Sequence, residues 1–388
     1  MEGITRWQWK DCDARPAGPV DGGVVAWRFM KIGLIGLPKS GKTSLFNLLT
    51  GASVATSSFG TARGEMHAGV ARVPDARVDR LVALFKPKKT TLATFEVVDL
   101  AGIAKGERQG LEAKEFRNAD ALLHVVRAFP DAGGAAPDPA GDIDDLETEL
   151  VLADLEVVER RLERLEAQIK KKRTEADVHE QAVLQKLKPG LEAGRPIRAM
   201  GLSDDESRAI RGFTFLSQKP ILHCLNLAEK EIARGADLVE RFGLGEVAGR
   251  PGTRIGWVSA VIESEVAQLE GPEQAAFLAD LGLTQPAIHR VLEDCYALLG
   301  LISFFTVGED EVRAWSIPRG TRAQDAAGAI HSDIARGFIR AEVVGYDDLM
   351  ALEGSMSAAR DRGRLRLEGK DYQVQDGEIC HFRFNVAK

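Results

Sequence analysis

Short apolar runs alternate with amphipathic segments over much of the chain. The apolar runs have the length and β-branched content of buried strands, and they lie at 31–35, 94–99, 121–126, 221–227 and 255–259. Segments with a helical period separate several of these runs. Because strands that alternate with helices form largely parallel sheets covered on both faces, the pattern predicts a doubly wound, mostly parallel α/β domain.

A different period begins after a turn-rich linker at 130–139. Apolar residues there recur at alternating spacings of four and three residues, which is the seam of a coiled coil. The seam residues are Val151, Leu155, Val158, Leu162, Leu165 and Ile169. A basic run at 170–173 follows, and a shorter helical pattern at 175–187 is stopped by Pro189 and Gly190. We predict an inserted α-helical coiled-coil hairpin, whose basic tip is either a solvated helix end or a contact for a phosphate backbone.

The C-terminal part of the chain returns to strand-like patterns, at 312–317, 365–367 and 380–385. Thr321 and Gln324 have the spacing of a capping box, which predicts the start of a helix. One face of that helix carries Ala323, Ala326, Ala327, Ile330 and Ile334. The predicted architecture of this part is a small mixed sheet packed on one helix.

Composition and charge exclude several classes of protein. The 388 residues allow two or three domains, and 44% apolar with 28% charged residues is ordinary for a globular protein. The net charge of −7 argues against a protein that coats nucleic acid through bulk charge. No apolar run approaches the ~20 residues of a membrane span, and the four cysteines form no C-x-x-C pair. We therefore expect a cytoplasmic protein without a membrane segment, a disulfide framework or a zinc site.

Residues 36–43, GLPKSGKT, fit the phosphate-binding pattern G-x-x-x-x-G-K-[ST] in full. They stand between a predicted strand and a predicted helix, which is the context that a P-loop requires. Gly36 and Gly41 let backbone N–H groups face a phosphate at a helix N-terminus. We expect Lys42 to reach the β- and γ-phosphates and to offset charge in the transition state, and the Thr43 hydroxyl to ligate Mg²⁺.

A second nucleotide-binding element, D-x-x-G, follows the strand at 94–99. Asp99 is placed to orient Mg²⁺ through water, and the amide of Gly102 to sense the γ-phosphate. The next residue is Ile103, where Ras-type switches carry a Gln that positions the attacking water. Isoleucine cannot hydrogen-bond to water, so either another group positions the water or intrinsic hydrolysis is slow. Thr61 is a candidate to complete the Mg²⁺ shell, although Thr56 and nearby serines compete for that role.

The base-recognition element is expected after the strand at 221–227. Asn226, Leu227 and Glu229 occupy the positions of N-K-x-D, the motif of guanine-specific proteins. Leu227 removes the lysine stem that lies over the base, and Glu229 moves the carboxylate by one methylene. An Asn amide can pair with both N6 and N7 of adenine, which favours adenine without excluding guanine. Ser259 and Ala260 lie where the last base-facing loop is expected.

Taken in order, these elements resemble the YchF subfamily of Obg-like P-loop ATPases. The family's G-L-P-N-V-G-K-S-T-L-F-N-A-L-T is similar to 36–50, D-I-A-G-L to 99–103, and H-V-V-R-x-F to 124–129. Asn226 and Glu229 match its N-x-x-E. The C-terminal segments that resemble the family's TGS domain are 305–306, 311–315, 317–318, 337–343, 366–372 and 381–386.

The resemblance covers roughly residues 30–388 and carries implications for fold and function. It implies a β-grasp TGS domain, ATP preferred over GTP, slow Mg²⁺-dependent hydrolysis, and association with the ribosome. From it we expect the arm and the TGS domain to reach the large subunit. It would place the phosphates against Lys39, Ser40, Gly41, Lys42, Thr43 and Ser44. It would place Mg²⁺ at Thr43 and Thr61, and adenine against Asn226 and Leu227.

The chain departs from the family pattern at several positions. The P-loop Asn of the family is Lys39 here, and the glycine-rich switch loop is about five residues shorter. The histidine that many members carry after H-V-V-R has no counterpart in the linker. These departures affect the expected rate and regulation of hydrolysis more than nucleotide binding. Two alternatives stay open: a GTPase of the same fold, and a nucleotide-sensing module with negligible turnover.

These patterns divide the chain into five predicted segments. They are an N-terminal extension (1–29, expected to be disordered), a first part of the nucleotide-binding domain (30–143), the helical hairpin (144–211), a second part of the nucleotide-binding domain (212–302) and the TGS-like domain (303–388).

Overall fold

The computed structural model describes residues 30–52, 67–99, 117–131 and 133–385; the predicted extension at 1–29 lies outside these ranges. Within them the strands are β1 (Lys31–Ile35), β2 (His67–Val73), β3 (Lys89–Thr91), β4 (Ala93–Asp99), β5 (Ala121–Ala128), β6 (Ile221–Leu227), β7 (Thr253–Val258), β8 (Leu301–Thr306), β9 (Glu311–Pro318), β10 (Phe338–Gly345), β11 (Arg366–Glu368) and β12 (Glu378–Phe384).

The α-helices of the described ranges are α1 (Lys42–Thr50), α2 (Ala76–Phe85), α3 (Pro139–Lys171), α4 (Glu175–Glu192), α5 (Asp204–Ile210), α6 (Leu238–Arg241), α7 (Gly245–Ala248), α8 (Ala260–Val266), α9 (Gly271–Asp280), α10 (Ala287–Leu298), α11 (Ala323–Ile330), α12 (Ser332–Arg336), α13 (Tyr346–Ala351) and α14 (Met356–Asp361). Short 3₁₀ segments lie at Ile197–Ala199, Arg211–Phe213 and Glu229–Asp237. No helix of the described ranges is both long enough and apolar enough to cross a bilayer.

The first sheet has the strand order β2-β4-β1-β5-β6-β7. The pairs β4–β1, β1–β5, β5–β6 and β6–β7 are parallel. Every residue of β6 is buried, as expected for a central strand that is covered on both faces. The predicted mostly parallel α/β sheet is therefore confirmed, and the bounds of β1 and β6 match the prediction.

The arm formed by α3 and α4 confirms the predicted seam. Val151, Val158 and Leu165 are buried in one apolar cluster with residues of α4, and Leu155, Leu162 and Ile169 pack against that cluster. Helix α3 begins earlier than predicted, inside the turn-rich linker. It starts there because Pro139 takes the first helical position and the Asp138 side chain accepts a hydrogen bond from the backbone N–H of Gly141.

The predicted stop at Pro189 is wrong, because α4 continues through this residue to Glu192. A proline removes one backbone donor from the helix, but its carbonyl still accepts, here from the N–H of Ala193 at 3.1 Å. Leu187 and Leu191 on either side are buried in the core of the arm. Tertiary packing of these two side chains therefore outweighs the local cost of the proline.

A buried chain of polar side chains joins the first sheet to the base of the arm. His124 on β5 and His223 on β6 are in register, with their Nδ1 atoms 3.0 Å apart. His223 Nε2 lies 3.4 Å from Glu147 Oε1 on α3, and Glu147 in turn contacts the guanidinium of Arg198 after α4. We call these four residues the polar chain.

Burial sets the protonation of the polar chain. Burial, with the neighbouring His223, lowers the pKa of His124 well below its usual value, and burial also lowers the pKa of His223. Burial raises the pKa of Glu147, but the hydrogen bond with His223 and the charge of Arg198 outweigh it and hold that pKa below its usual value. Both histidines are therefore neutral beside an ionised Glu147. Since His223 Nε2–H then faces Glu147, His223 Nδ1 accepts the hydrogen bond that His124 Nδ1–H donates.

Residues 72–94 and 300–385 form a second compact unit, with the strand order β11-β10-β12-β8-β9-β3. Strands β10–β12, β10–β11 and β8–β9 pair antiparallel, whereas β12–β8 and β3–β9 pair parallel. The core of this unit includes Phe304, Trp315 and Phe382 from the sheet, with Ala323 and Ala327 from α11. The predicted mixed sheet packed on a helix is confirmed.

The second unit differs from the predictions in its boundary. Residues 72–94 belong to it, although the prediction placed all of 30–143 in the nucleotide-binding domain. The cause is β3, which pairs with β9 in the second sheet. Its three residues, Lys-Thr-Thr, are too short and too polar to be recognised as a strand from the sequence pattern.

The predicted capping box at the start of α11 is wrong. The Thr321 hydroxyl donates to the carbonyl of Pro318 at 2.6 Å, and the Gln324 amide donates to the carbonyl of Ala335 at 3.0 Å. Helix α11 starts after Arg322 without a side-chain cap and ends at Ile330, so Ile334 lies on the separate helix α12. Both predicted capping groups have better partners in the folded unit than the helix N-terminus.

The depressed histidine pKa values predict a pH-dependent stability. Below the ordinary value of 6.5 the unfolded chain takes up protons that buried His124 and His223 refuse, so the free energy of unfolding falls as the pH is lowered through that value. The expected slope is up to about 1.4 kcal/mol per pH unit for each histidine. Denaturant unfolding between about pH 7.5 and about pH 5.5 measures it.

The double variant H124M/H223M should flatten this dependence. The variant His179→Gln, which changes an exposed histidine of α4, should keep the wild-type dependence. Equal pH dependence in wild type and the double variant would show that the buried pair is not the cause.

Candidate functional site

The loop between β1 and α1 has a backbone that depends on its glycines. Gly41 adopts φ 94° as the residue preceding α1, in the left-handed region that a side chain strains. A Cβ added to Gly36 would lie 2.7 Å from the carbonyl oxygen of Val125. Lys39 also has a positive φ, 67°, and it is exposed. Asn adopts this conformation more readily than Lys, so Lys39 adds backbone strain to the loop.

Lys42 and Asp99 form a largely buried ion pair at the base of this loop. Lys42 is the first residue of α1, and Asp99 ends the adjacent strand β4. The ammonium contacts the carboxylate directly, and the two residues are 9% and 3% exposed. The pair holds the ammonium of Lys42 beside the loop, where another anion would compete with Asp99 for this ammonium.

Asn226 connects three elements of the site through its side-chain amide. Its Nδ2 donates to the carbonyl of Ser40 at 3.0 Å, and its Oδ1 accepts from the backbone N–H of Ala260 at 3.0 Å. A Cβ added to Gly41 would lie 2.2 Å from Asn226 Nδ2, so only glycine fits there. The end of β6, the loop after β1 and the start of α8 are thereby held together.

The structure places the sequence-predicted residues at one edge of the first sheet, where the parallel strands end. The described residues brought together there are Gly36, Lys39, Ser40, Gly41, Lys42, Thr43, Ser44, Asp99, Asn226, Ser259 and Ala260. Thr61, Gly102 and Ile103 lie outside the described residues.

Two predicted base-contacting residues occupy different surroundings from each other. Leu227 is 2% exposed and its side chain packs in an apolar cluster with Val126 and Leu238. Glu229 is exposed at the start of a 3₁₀ segment. The exposed carboxylate of Glu229 could therefore contact a base, whereas the side chain of Leu227 is part of the core.

The sequence named Asn226, Ser40 and Ser259 as site residues, but it did not predict that Asn226 bridges two loops or that the two serine hydroxyls are buried. Among the described residues the Oγ atoms of Ser40 and Ser259 are buried without a hydrogen-bond partner. Buried polar atoms are nearly always paired, so these two hydroxyls are candidate donors to a ligand. The sequence motifs place both serines in the site, but local spacing does not show that their hydroxyls are buried without a partner.

No group of three or more His, Cys, Asp or Glu side chains in the described part of the chain could hold a metal ion. Mg²⁺ needs no such cluster, because it is usually bound by one or two protein oxygens together with waters and phosphates. The hydroxyl of Thr43 and the carboxylate of Asp99 are hard oxygen donors of the right kind. The residues present therefore fit a magnesium ion that arrives with a phosphate ligand.

Substitution of the glycine beside Asn226 tests this geometry. Gly41→Ala should lower the free energy of unfolding by about 1–2 kcal/mol for the left-handed backbone, and by about 1 kcal/mol more for each displaced hydrogen bond of Asn226. Gly51→Ala is a matched control, because Gly51 has φ 67° but no atom within 4 Å of an added Cβ. Thermal and denaturant unfolding of both variants measure the difference. An equal loss of stability in the two would contradict the close contact between Gly41 and Asn226.

Comparison with known proteins identifies the family. A family model described as a 50S ribosome-binding GTPase matches residues 31–174. The model of the C-terminal domain of YchF GTPases, described as a protein of unknown function, matches residues 301–385. The ribosome-binding ATPase YchF of Bacillus subtilis is 41% identical over 363 residues, which cover 91% of this chain and 99% of that protein. The protein of the same name from Escherichia coli O157:H7 is 38% identical, with 92% and 99% covered.

A solved structure agrees with these relatives. The YchF GTPase of Schizosaccharomyces pombe superposes with a TM-score of 0.78 at 30% identity, and the match covers 91% of this chain and 97% of that one. The similarity thus includes the first sheet, the arm and the second unit. The chain belongs to the YchF family of P-loop proteins.

Proposed function

We propose that this protein is a Mg²⁺-dependent switch that binds ATP, hydrolyses it slowly and acts with the ribosome in translation or stress regulation. The observation that carries the proposal is the hydrogen bond by which the side chain of Asn226 holds the carbonyl of Ser40 in the loop 36–43. This arrangement pre-orients the loop's N–H groups at the N-terminus of α1, where a phosphate is favoured. The ATPase and ribosome-binding names of the bacterial relatives support it.

The phosphates would lie against the loop and Lys42. A triphosphate offers Lys42 several oxygens in place of the single carboxylate of Asp99. The unpartnered hydroxyl of Ser40 adds one donor. The backbone N–H groups and the Ser40 hydroxyl are fixed by the fold before a ligand arrives, whereas Lys42 must exchange Asp99 for phosphate on binding.

Mg²⁺ would be held by Thr43 directly and by Asp99 through water, with Thr61 completing the shell. The ion supplies neutralisation of the phosphate charge. If Lys42 turned toward a phosphate, the Asp99 carboxylate would lose this partner and could then help to hold the ion. Ile103 offers no hydrogen bond to an attacking water, which is the basis for slow hydrolysis. The same residue keeps open the alternative of a nucleotide sensor with negligible turnover.

The purine would be recognised near Asn226, Ser259 and Ala260. Asn226 Nδ2 retains a second hydrogen, and Oδ1 a second lone pair, which together suit N7 and N6 of adenine. The second candidate is a GTPase of the same fold. The observation that favours it is the exposed carboxylate of Glu229, which could accept from the N1–H and N2–H of guanine.

The ribosome contact would be made by the arm and the C-terminal unit, most simply with the large subunit. Residues 170–173 at the tip of the arm are exposed and basic, as contacts to RNA phosphates require. Such a partner implies that the protein works in the cytoplasm. The description of the family model for residues 31–174 names the 50S particle.

Phosphate release with ATP and with GTP tests the proposal. We expect kcat/KM for ATP to exceed that for GTP by about tenfold or more, because a mispaired base edge costs about 1–3 kcal/mol. Lys42→Ala should lower ATP turnover about 100-fold, because it removes the charge that faces the transferring phosphoryl group. Lys370→Ala, an exposed lysine of the second unit, should leave basal turnover unchanged.

Other outcomes identify the alternatives. Tight GTP binding without ATP binding would establish the GTPase. Phosphate release that Lys42→Ala does not change would show that the measured hydrolysis is not this protein's own, and would leave the sensor.

A further inference from the structure

The polar chain of His124, His223, Glu147 and Arg198 is not used by the proposed nucleotide chemistry. All four side chains are buried, and they cross from the first sheet to the base of the arm. Burying charges requires desolvation, and apolar side chains of similar volume could fill the same space without that cost. A polar chain in this place points to a need for fixed geometry, since hydrogen bonds constrain position more narrowly than apolar contacts do.

On the sheet side, the polar chain is attached to the two strands that constrain the phosphate loop. His124 is in register with Ile35, the last residue of β1 before the loop. The next residue of β5, Val125, places its carbonyl oxygen against Gly36. His223 lies on β6, three residues before Asn226, whose amide holds the carbonyl of Ser40. A shift of β5 relative to β6 would therefore disturb the loop and the histidine pair together.

On the arm side, both ends of the insertion meet the polar chain. Glu147 lies on α3 where the arm leaves the sheet, and Arg198 follows α4 where the arm returns. Arg198 also donates to the carbonyl of Ser217 at 3.2 Å and to the Thr253 hydroxyl at 3.3 Å. Nearby, Asp154 of α3 accepts from the backbone N–H of Leu216 at 2.9 Å. The base of the arm is thus held on the sheet by buried polar contacts, and tilting the arm would strain them.

We propose that the polar chain couples the arm to the phosphate loop, with His124, His223 and Glu147 as positioning residues. The inference rests on the proposed function, because a bound nucleotide is the ligand that would displace the loop. His124 and His223 are joined by a hydrogen bond, His223 Nε2 lies 3.4 Å from Glu147 Oε1, and Glu147 is paired with Arg198. Separating the histidines leaves a buried polar group unsatisfied, and separating Glu147 from Arg198 leaves buried charges unpaired, so the strands and the arm base move together. Coupling of this kind is reciprocal: a partner that moves the arm changes the affinity for nucleotide by the factor with which nucleotide changes partner binding.

Two double variants remove the polar chain in different ways. E147M/R198M replaces the ion pair with apolar side chains and leaves no charge buried alone. H124M/H223M removes the histidine pair and leaves Glu147 paired with Arg198, so it tests the inference if the first variant does not fold. The matched control is R161M/E180M, which removes an ion pair of 2.6 Å between α3 and α4 within the arm itself.

The experiment is amide hydrogen exchange on the full chain, with and without AMP-PNP or GMP-PNP and Mg²⁺. In wild type and in R161M/E180M, the analogue that binds should slow exchange at the arm base, residues 139–158, by about tenfold, within the usual range for coupled sites. In both polar-chain variants the analogue should still bind, and the response at the arm base should be lost. Without nucleotide, the same two variants should exchange faster than the control at residues 36–45.

A wild-type arm base that does not respond to a bound analogue would overturn the coupling, and so would a full response in both polar-chain variants. If neither analogue binds wild type, the proposed function fails. Exchange at residues 36–45 without nucleotide then decides the coupling alone: faster exchange in the polar-chain variants supports it, and unchanged exchange refutes it.

Discussion

The amide of Asn226 is the contact on which the rest of the nucleotide-binding unit depends. It donates to the carbonyl of Ser40 and accepts from the N–H of Ala260, so one side chain fixes the loop after β1 against the start of α8. Gly41 is confined to glycine by the same amide. An amide is needed because a single group must both donate and accept, which rules out a carboxylate or an apolar side chain. The positions of the loop after β1 and of the start of α8 relative to β6 therefore depend on this one residue.

Charge and strain in the site are arranged around that contact. Lys42 is paired with Asp99, which holds an ammonium in a largely buried position until a stronger anion competes for it. Lys39 and Gly41 both adopt positive φ angles, so the loop is held in a conformation that it would not adopt alone. Strands β5 and β6 also carry His124 and His223, the two members of the polar chain that belong to the first sheet. A change at the phosphate loop therefore has a short physical route to the base of the arm.

Much of the fold is predictable from the sequence because its main elements have long, regular patterns. Strands β1 and β6 are short, mostly apolar runs, and the arm has a heptad seam of six residues, all of which pack as predicted. The failures occur where long-range packing overrides local preference. Helix α4 passes through Pro189 because its flanking leucines are buried, and β3 forms from a short polar segment because β9 offers it a partner.

The site shows the same limit. The motif identifies the residues that lie at the sheet edge, but hydrogen-bond partners depend on neighbours distant in the chain. Asn226 bridges to Ser40 across 186 positions, and Leu227 turns into the core because β6 is covered on both faces. The spacing of residues within a motif predicts neither the hydrogen bond of Asn226 nor the burial of Leu227.

The measurement that tests the central claim most directly is the affinity of Asn226→Asp for AMP-PNP and Mg²⁺ by calorimetry, beside the wild-type protein. The substitution preserves shape, but a carboxylate cannot donate to the carbonyl of Ser40. We predict a loss of affinity of about 10- to 100-fold, corresponding to about 1.5–3 kcal/mol for a buried polar group left unsatisfied. An unchanged dissociation constant would contradict the account, because the loop would then keep its geometry without the bridge from Asn226.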